Sequence, residues 1–455
     1  MKRKAKKVSR KNFLIPVILM ALVTLLVILS TSYFTGNDFE RQPAATPAPV
    51  IEDEPKQVPA TPAPVIEDVP KEDPVSNGHE EKSDPNVDTL FDIRELDPEI
   101  SKFLDYFALK HNSAAVSLVA YDGKQRDYYT YTYGYRDKEK GTAVDTDTKF
   151  CVASLSKLVT VICALTLVDE GKLDLSKDIS AYLGFEVRAP GFPDTEITAR
   201  MLMQHVSSII DPDGYLSKEK RDLPQTTIDI LKTNTCYSGM KPGTHFYYSG
   251  YFGYAVLALI CEIISEKRFD TLARDVLFGP LGIDAAYLPN NLQDTENIAI
   301  LYQHIHTDKI TVQEQLNTGD ERISDHERAG ANLVINAVDY AKILMMLGNG
   351  GSFDDVRILS EESVRNMHKV DIHGYDFRQG LATRFLNNVA FPFPGYYYHI
   401  GGAWGALTQY IYYIHASSNH GVVIMTTGAT FYRPHTPVFD ICADMSYVAL
   451  KILNR

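Results

Sequence analysis

The chain has 455 residues, 45% of them hydrophobic, with 27 tyrosines, a composition that suits a folded body and excludes wholesale disorder. Its formal charge is −13, from 45 Lys and Arg against 58 Asp and Glu. Seven of those cations crowd into residues 1–12, leaving 38 against 58 beyond them; a charge of −20 argues against nucleic acid as a partner and against binding an anionic surface through bulk charge.

The first twelve residues, "MKRKAKKVSRKN", contain no acid and precede "FLIPVILMALVTLLVILSTSYF", residues 13–34, which carry no charge. As a helix this run reaches about 33 Å, enough to span a bilayer. A cationic flank before such a run predicts a cytoplasmic basic tail (1–12), a single-pass transmembrane anchor (13–34) and an extracellular remainder. A cleaved signal peptide is the alternative, with Ser30–Ser32 as a weak site, but the run exceeds a usual signal core. No cysteine follows it closely, so nothing points to a lipid-modified terminus.

Residues 35–94 read as a disordered linker rich in proline and acids. Within them "ATPAPVIEDEPK" at Ala45 returns as "ATPAPVIEDVPK" at Ala60. Such a segment cannot bury a core, and in extended form it reaches on the order of 190 Å. It is a spacer suited to a body working within a cell wall.

The remaining residues, 95–455, form the predicted globular domain. "DPEISKFLDYFALKH" places an acidic cap at Asp97 and Pro98 at the first helical position. "AAVSLVAY" and "RDYYTYTYGY" flank Asp122-Gly123, a hairpin signal. An apolar helix follows from Ser154, and residues 176–330 read as helices and loops with little strand. "YYYHIGGAWG" and "QYIYYIH…GVVIMTTG" read as strands, with a last helix from about Phe439. The expected fold class is α/β: an antiparallel sheet flanked by helices, with an inserted helical lobe. The five cysteines are scattered and odd in number, so neither a disulfide framework nor a metal site is read; no cofactor is implied.

The chemistry centres on "FCVASLSKLVTV", Phe150 to Val161. A Ser-x-x-Lys pair is weak alone, and Ser217/Lys220 repeats it in a charged run. At Ser154/Lys157 the helix is apolar nearly all round, so a charged lysine there is costly and a neutral amine is favoured. Residues i and i+3 share a face, which lets the amine take the hydroxyl's proton. A capping serine with a snorkelling lysine fits the motif equally well.

Seven segments in order decide between them: "FCVASLSKLVTV", "DEGKLDLSKDISAYLG", "ITARMLMQHVSS", "KPGTHFYYSGYFGYAVLALICEIIS", "LFGPLGID", "GANLVINAVDYAKILMMLGNGG" and "HIGGAWG". Together they resemble the serine β-lactamase and D,D-peptidase (penicillin-binding-protein-like) family, in its class C-like branch, over roughly residues 95–455. The resemblance implies Ser154 as acylated nucleophile, Lys157 as its proton partner and Tyr248 as a second acid/base. It further implies an oxyanion hole from the amides of Ser154 and Gly402, with His399 and Gly401 in the third motif. Two departures stand out. Tyr-x-Asn reads Tyr248-Ser249-Gly250, and the third motif reads His399-Ile400-Gly401, so an amide and a hydroxyl are absent. Ser208 also stands where the family has glycine, and His205 reads as structural.

The expectation is therefore a membrane-anchored serine hydrolase acting on D-amino-acyl esters or amides of the cell envelope, such as a teichoic acid D-alanyl ester or a peptidoglycan stem peptide. A D-alanyl-D-alanine carboxypeptidase or β-lactamase is the alternative, and a non-catalytic sensor or binding domain a second.

Overall fold

The computed structural model describes residues 88–213, 215, 226–306, 309–313, 324–373, 377–386, 395–415, 418–430 and 438–453. The basic tail, the apolar run at 13–34, the linker as far as residue 87 and the Ser217/Lys220 pair lie outside the described residues. Among the described residues no helix is long and apolar enough to cross a membrane.

Strand β1 (Thr89–Asp92) pairs in parallel with β3 (Asp127–Asp137), and β3 pairs antiparallel with β2 (Ala115–Asp122). Further on come β4 (Ile372–His373), β5 (Phe377–Gln379), β6 (Arg384–Leu386), β7 (Tyr397–Ala403), β8 (Ala406–His415) and β9 (Ser418–Thr427). The sheet runs β1-β3-β2-β9-β8-β7-β6-β5-β4, and every contact except β1 with β3 is antiparallel. The first and last tracts of the domain thus lie side by side, as the alternating patterns at both ends require.

The Asp122-Gly123 turn forms where expected: the Asp122 carboxylate accepts from the amides of Lys124 and Gln125 at 2.9 and 3.3 Å. The linker boundary differs from the sequence reading. Residues Thr89–Asp92, placed in the linker, belong to the sheet; Phe91 stacks on Tyr129 with ring centroids 5.3 Å apart. Four residues are too few to display a period, and only the neighbouring strand reveals them.

Both faces of the sheet are covered. On one lie α1 (Pro98–Lys110) and α5 (Asp440–Leu453); on the other lie α2 (Ser156–Asp169), α3 (Phe252–Ser265) and α4 (Ala337–Gly348). The period-2 alternation sorts the side chains. Val116, Leu118, Val422 and Ile424 enter the α1/α5 core, whereas Val119, Tyr121, Val423 and Met425 enter the α2/α3/α4 core.

Asp97 caps α1, its carboxylate accepting from the amides of Glu99 and Ile100 at 3.0 Å each. In α2 every residue from Ser156 to Leu167 is buried, as is every residue of α3 from Phe252 to Cys261. Each large aliphatic side chain buried this way contributes about 1.5–3 kcal/mol. All five cysteines are buried as free thiols. Leu165, fully buried in α2, tests that packing: Leu165→Ala is expected to cost about 2–5 kcal/mol, measured by denaturant unfolding.

Candidate active site

Phe150 and Cys151 pair with Ile335 and Val334 and deliver the chain to a tight turn, Ala153–Leu155, that opens into α2. Ala153 sits at φ 47°, a left-handed conformation that costs a residue with a Cβ roughly 1–2 kcal/mol. Four carbonyls hold the turn in place. Val152 O accepts from Thr408 Oγ1 at 2.8 Å, Ala153 O from Ser156 Oγ at 2.6 Å, Leu155 O from the Tyr340 hydroxyl at 2.9 Å and Ser156 O from the Tyr287 hydroxyl at 3.0 Å. Ser156 Oγ also accepts from the Leu333 amide at 3.0 Å, so the second serine of the motif is a clamp. From Phe150 to Leu167 all residues are buried except Ser154. The strained turn lifts one hydroxyl out of a sealed core.

Lys157 is fully buried one turn later. Its Nζ donates to Gly250 O at 2.6 Å and to Gly330 O at 2.7 Å, and lies 3.1 Å from Ser154 Oγ. Carbonyls only accept, so two of the nitrogen's tetrahedral positions must carry protons. The remaining position, filled by a third proton or by a lone pair, faces Ser154. The amine and the serine hydroxyl are therefore placed to share a proton along one line. A Cβ on Gly330 would stand 3.1 Å from Tyr251 Cα and 3.2 Å from Gly250 O; glycine there lets both carbonyls converge on the amine.

Tyr248 is half-buried beside the same amine, with Nζ 5.2 Å from its ring centroid. The Arg384 guanidinium lies 5.3 Å from that centroid, and the rings of His205 and His399 lie at 4.4 and 6.3 Å. His205 Nδ1 accepts from the Ser249 amide at 3.2 Å, so the His205 proton is on Nε2. His399 Nδ1 donates to Ile400 O at 2.7 Å, which leaves its Nε2 bare. Both Nε2 atoms are buried with no hydrogen-bond partner among the described residues. Burial first, then the nearby charges of Lys157 and Arg384, pushes both imidazoles well below the ordinary value of 6.5, so both are neutral. His399 cannot act as the cation of its motif. Arg384, 7% exposed on β6 and donating from Nε to Gln379 at 3.2 Å, brings positive charge to the site instead.

The sequence signature of the Beta-lactamase family matches residues 97–441. The chain belongs to the β-lactamase family of serine hydrolases. Protein Rv1367c of Mycobacterium tuberculosis is 28% identical to it over 252 residues, an alignment covering 51% of this chain and 62% of that protein. The chain thus spans less than two thirds of that relative's length. An N-acetylmuramyl-L-alanine amidase of Bacillus subtilis is 25% identical over 371 residues, covering 72% and 78% of the two chains. The fold resembles that of D-amino acid amidase from Ochrobactrum anthropi SV3, with a TM-score of 0.62 at 19% identity over 79% of this chain and 99% of that one.

As a β-lactamase-family protein the chain departs from its motifs in ways that the structure accounts for. At Gly250, where an asparagine is usual, a Cβ would lie 3.0 Å from Asp211 Oδ2. Asp211 accepts from the amides of Gly250, Tyr251 and Phe252 at 2.7, 3.0 and 2.6 Å and from the Ser249 hydroxyl at 3.0 Å. It thereby caps α3, whose first turn supplies free amides and positive dipole.

On β7 the side chains alternate. Ile400 packs into the α1/α5 core, while a Cβ on Gly401 would run into Val152 O and Thr408 Oγ1 and stand 3.0 Å from Ser154 N. Glycine at 401 is what lets the strand lie directly on the nucleophile turn. Gly402, exposed at the next position, would meet Phe439 at 2.8 Å if it carried a Cβ. Asp211 and Arg384 were not anticipated. The Asp-Pro pair at 211–212 carried a faint turn signal, and the lone arginine in "LATRFL" carried none.

Ser208 adopts φ 68°, the conformation of the glycine it replaces. Ser208→Gly should therefore raise stability by about 0.5–1 kcal/mol, measured by chemical denaturation. The two neutral histidines set a pH dependence. Below the ordinary value of 6.5 the unfolded chain takes up protons that the fold refuses, so stability is retained above that pH and declines beneath it. The decline is at most about 1.4 kcal/mol per pH unit for each histidine. His399→Asn should make the fall in Tm between about pH 7 and 5 shallower.

Proposed function

We propose that this protein is a membrane-anchored, extracytoplasmic serine hydrolase that works through an acyl-enzyme on Ser154. Residues 13–34 hold it in the membrane and the linker tethers the body on the outer side. Its substrates are D-amino-acyl esters or amides, such as D-alanyl esters of teichoic acid or peptidoglycan stem peptides. The observation that carries this reading is the pairing of the partly exposed Ser154 hydroxyl, in a stretch otherwise buried, with a buried amine whose remaining position faces it at 3.1 Å. The amidases among the similar proteins support cleavage of amide-type bonds in such material.

In this mechanism Ser154 Oγ attacks the substrate carbonyl as its proton passes to Lys157, and the amides of Ser154 and Gly402 hold the resulting oxyanion. The positive end of α2 adds to that stabilisation. Tyr248, beside Lys157, serves as second acid/base and delivers a proton to the leaving oxygen or nitrogen. Water then attacks the Ser154 ester and the same groups act in reverse, restoring the hydroxyl and releasing the acid. His399 and Gly401 shape the floor of the site. A binding domain without catalysis would not require the amine to be held in this register.

Arg384 supports a second reading. A buried guanidinium beside Tyr248 offers a substrate carboxylate the cationic partner that His399 does not provide, which favours a D-alanyl-D-alanine carboxypeptidase or β-lactamase. Labelling the full chain with a fluorophosphonate and with a fluorescent penicillin separates the readings. Phosphonate labelling alone, abolished in Ser154→Ala, supports the esterase or amidase. Labelling by both reagents supports the carboxypeptidase or β-lactamase. Labelling by neither refutes catalysis at Ser154.

A further inference from the structure

Helix α1 is apolar on both sides. Its inner face buries Ile100, Leu104 and Ala108 in the core, as an amphipathic helix should. Its outer face carries Phe103, Tyr106 and Leu109, which are 57%, 59% and 63% exposed. They recur every three residues and so form one stripe, bordered by the exposed Lys102 and Lys110. Helix α5 extends it: Asp444 accepts from Lys110 Nζ at 2.8 Å and pairs with His111 at 3.0 Å, and one turn on Tyr447 is 52% exposed. Lys451 Nζ stands 4.7 Å over the Tyr447 ring. Large exposed rings and a leucine edged by lysines are the composition of a surface that enters the headgroup region of a bilayer, rings inward and ammonium groups at the phosphates.

We propose that this α1/α5 face seats on the membrane surface; the proposal rests on the reading of residues 13–34 as an anchor. Where the linker joins the body names the occupant. The chain enters at β1 and passes straight into α1, with Arg94 between them donating to Asp105 of α1 at 3.1 Å. Leu90 and Leu96, 50% and 37% exposed, flank that junction. The stripe therefore adjoins the point from which the chain leads back to its 22-residue apolar run.

The body's overall negative charge does not oppose this. Of the acids near the stripe, Asp105 and Asp444 are paired with Arg94, Lys110 and His111, the exposed Glu99 stands one turn before Phe103 beside the exposed Lys102, and Lys102 and Lys451 remain at the stripe's edges. Ser154 and Lys157 lie on the other side of the sheet. Seating by α1 and α5 thus turns the nucleophile away from the lipid and toward the wall.

The test uses the full chain, with a protease site inserted within residues 43–74, reconstituted in vesicles of phosphatidylcholine with about 30 mol% phosphatidylglycerol. After cleavage, sedimentation reads whether the freed body stays with the vesicles. Retention is expected, falling about tenfold in F103E/Y106E/L109E while Tm and phosphonate labelling are unchanged. Should that triple variant misfold, Y447E/K451E reads the same face independently. Release of the native body, or equal retention of both variants, overturns the proposal. So does a freed body that forms a dimer abolished by these substitutions and leaves the vesicles, which would assign the face to a second copy. Failure of the uncut chain to sediment refutes the anchor, and it is distinguishable because retention of the cut body is scored separately.

Discussion

The site depends on one primary amine sealed among oxygens. Removing Lys157 from water would be costly were it not for two backbone carbonyls, at 2.6 and 2.7 Å, that accept hydrogen bonds from two of its N–H groups. Those carbonyls fix where the third position points. The direction of the proton path to Ser154 therefore comes from the backbone around Gly250 and Gly330 as much as from the Ser-x-x-Lys spacing. Around this contact lie a helix buried from Ser156 to Leu167, a two-stranded pairing behind the turn, and side-chain hydroxyls on the carbonyls of Val152, Ala153, Leu155 and Ser156. The strain at Ala153 persists because so many bonds over-determine it.

The recognition side of the site has been rebuilt. Asp211 occupies the space a side chain at 250 would need and spends its acceptors on the start of α3. Ile400 fills the opposite core. Neutral His399 and His205, in opposite tautomers, present an unmatched acceptor and an unmatched donor beside Tyr248. Arg384 brings the charge from a strand the motifs do not include. The catalytic pair is thus conventional in geometry, and the groups that would grip a substrate come from elsewhere in the chain.

Some of this was legible in the residues. The Ser-x-x-Lys helix left a buried amine facing a hydroxyl and a cap with a snorkelling lysine equally open until the later segments decided; Lys157 is buried and faces Ser154. The hairpin at Asp122-Gly123 and the three C-terminal strands followed from turn chemistry and alternation. What was illegible depends on contacts across long stretches of chain. Ser156 gave no signal because its partners are at Ala153 and Leu333. Asp211 looked like a loop residue because the amides it caps come some forty positions later. Strand β1 was too short to declare itself without β3.

The carbonyls that hold Lys157 lie 93 and 173 residues downstream of it. A nascent or unfolded chain carrying Ser154 and Lys157 has the two side chains but not the cradle that aims one at the other. Reactivity is therefore a property of the completed fold. The alignment of amine and hydroxyl is complete only once Gly330 has closed behind Lys157.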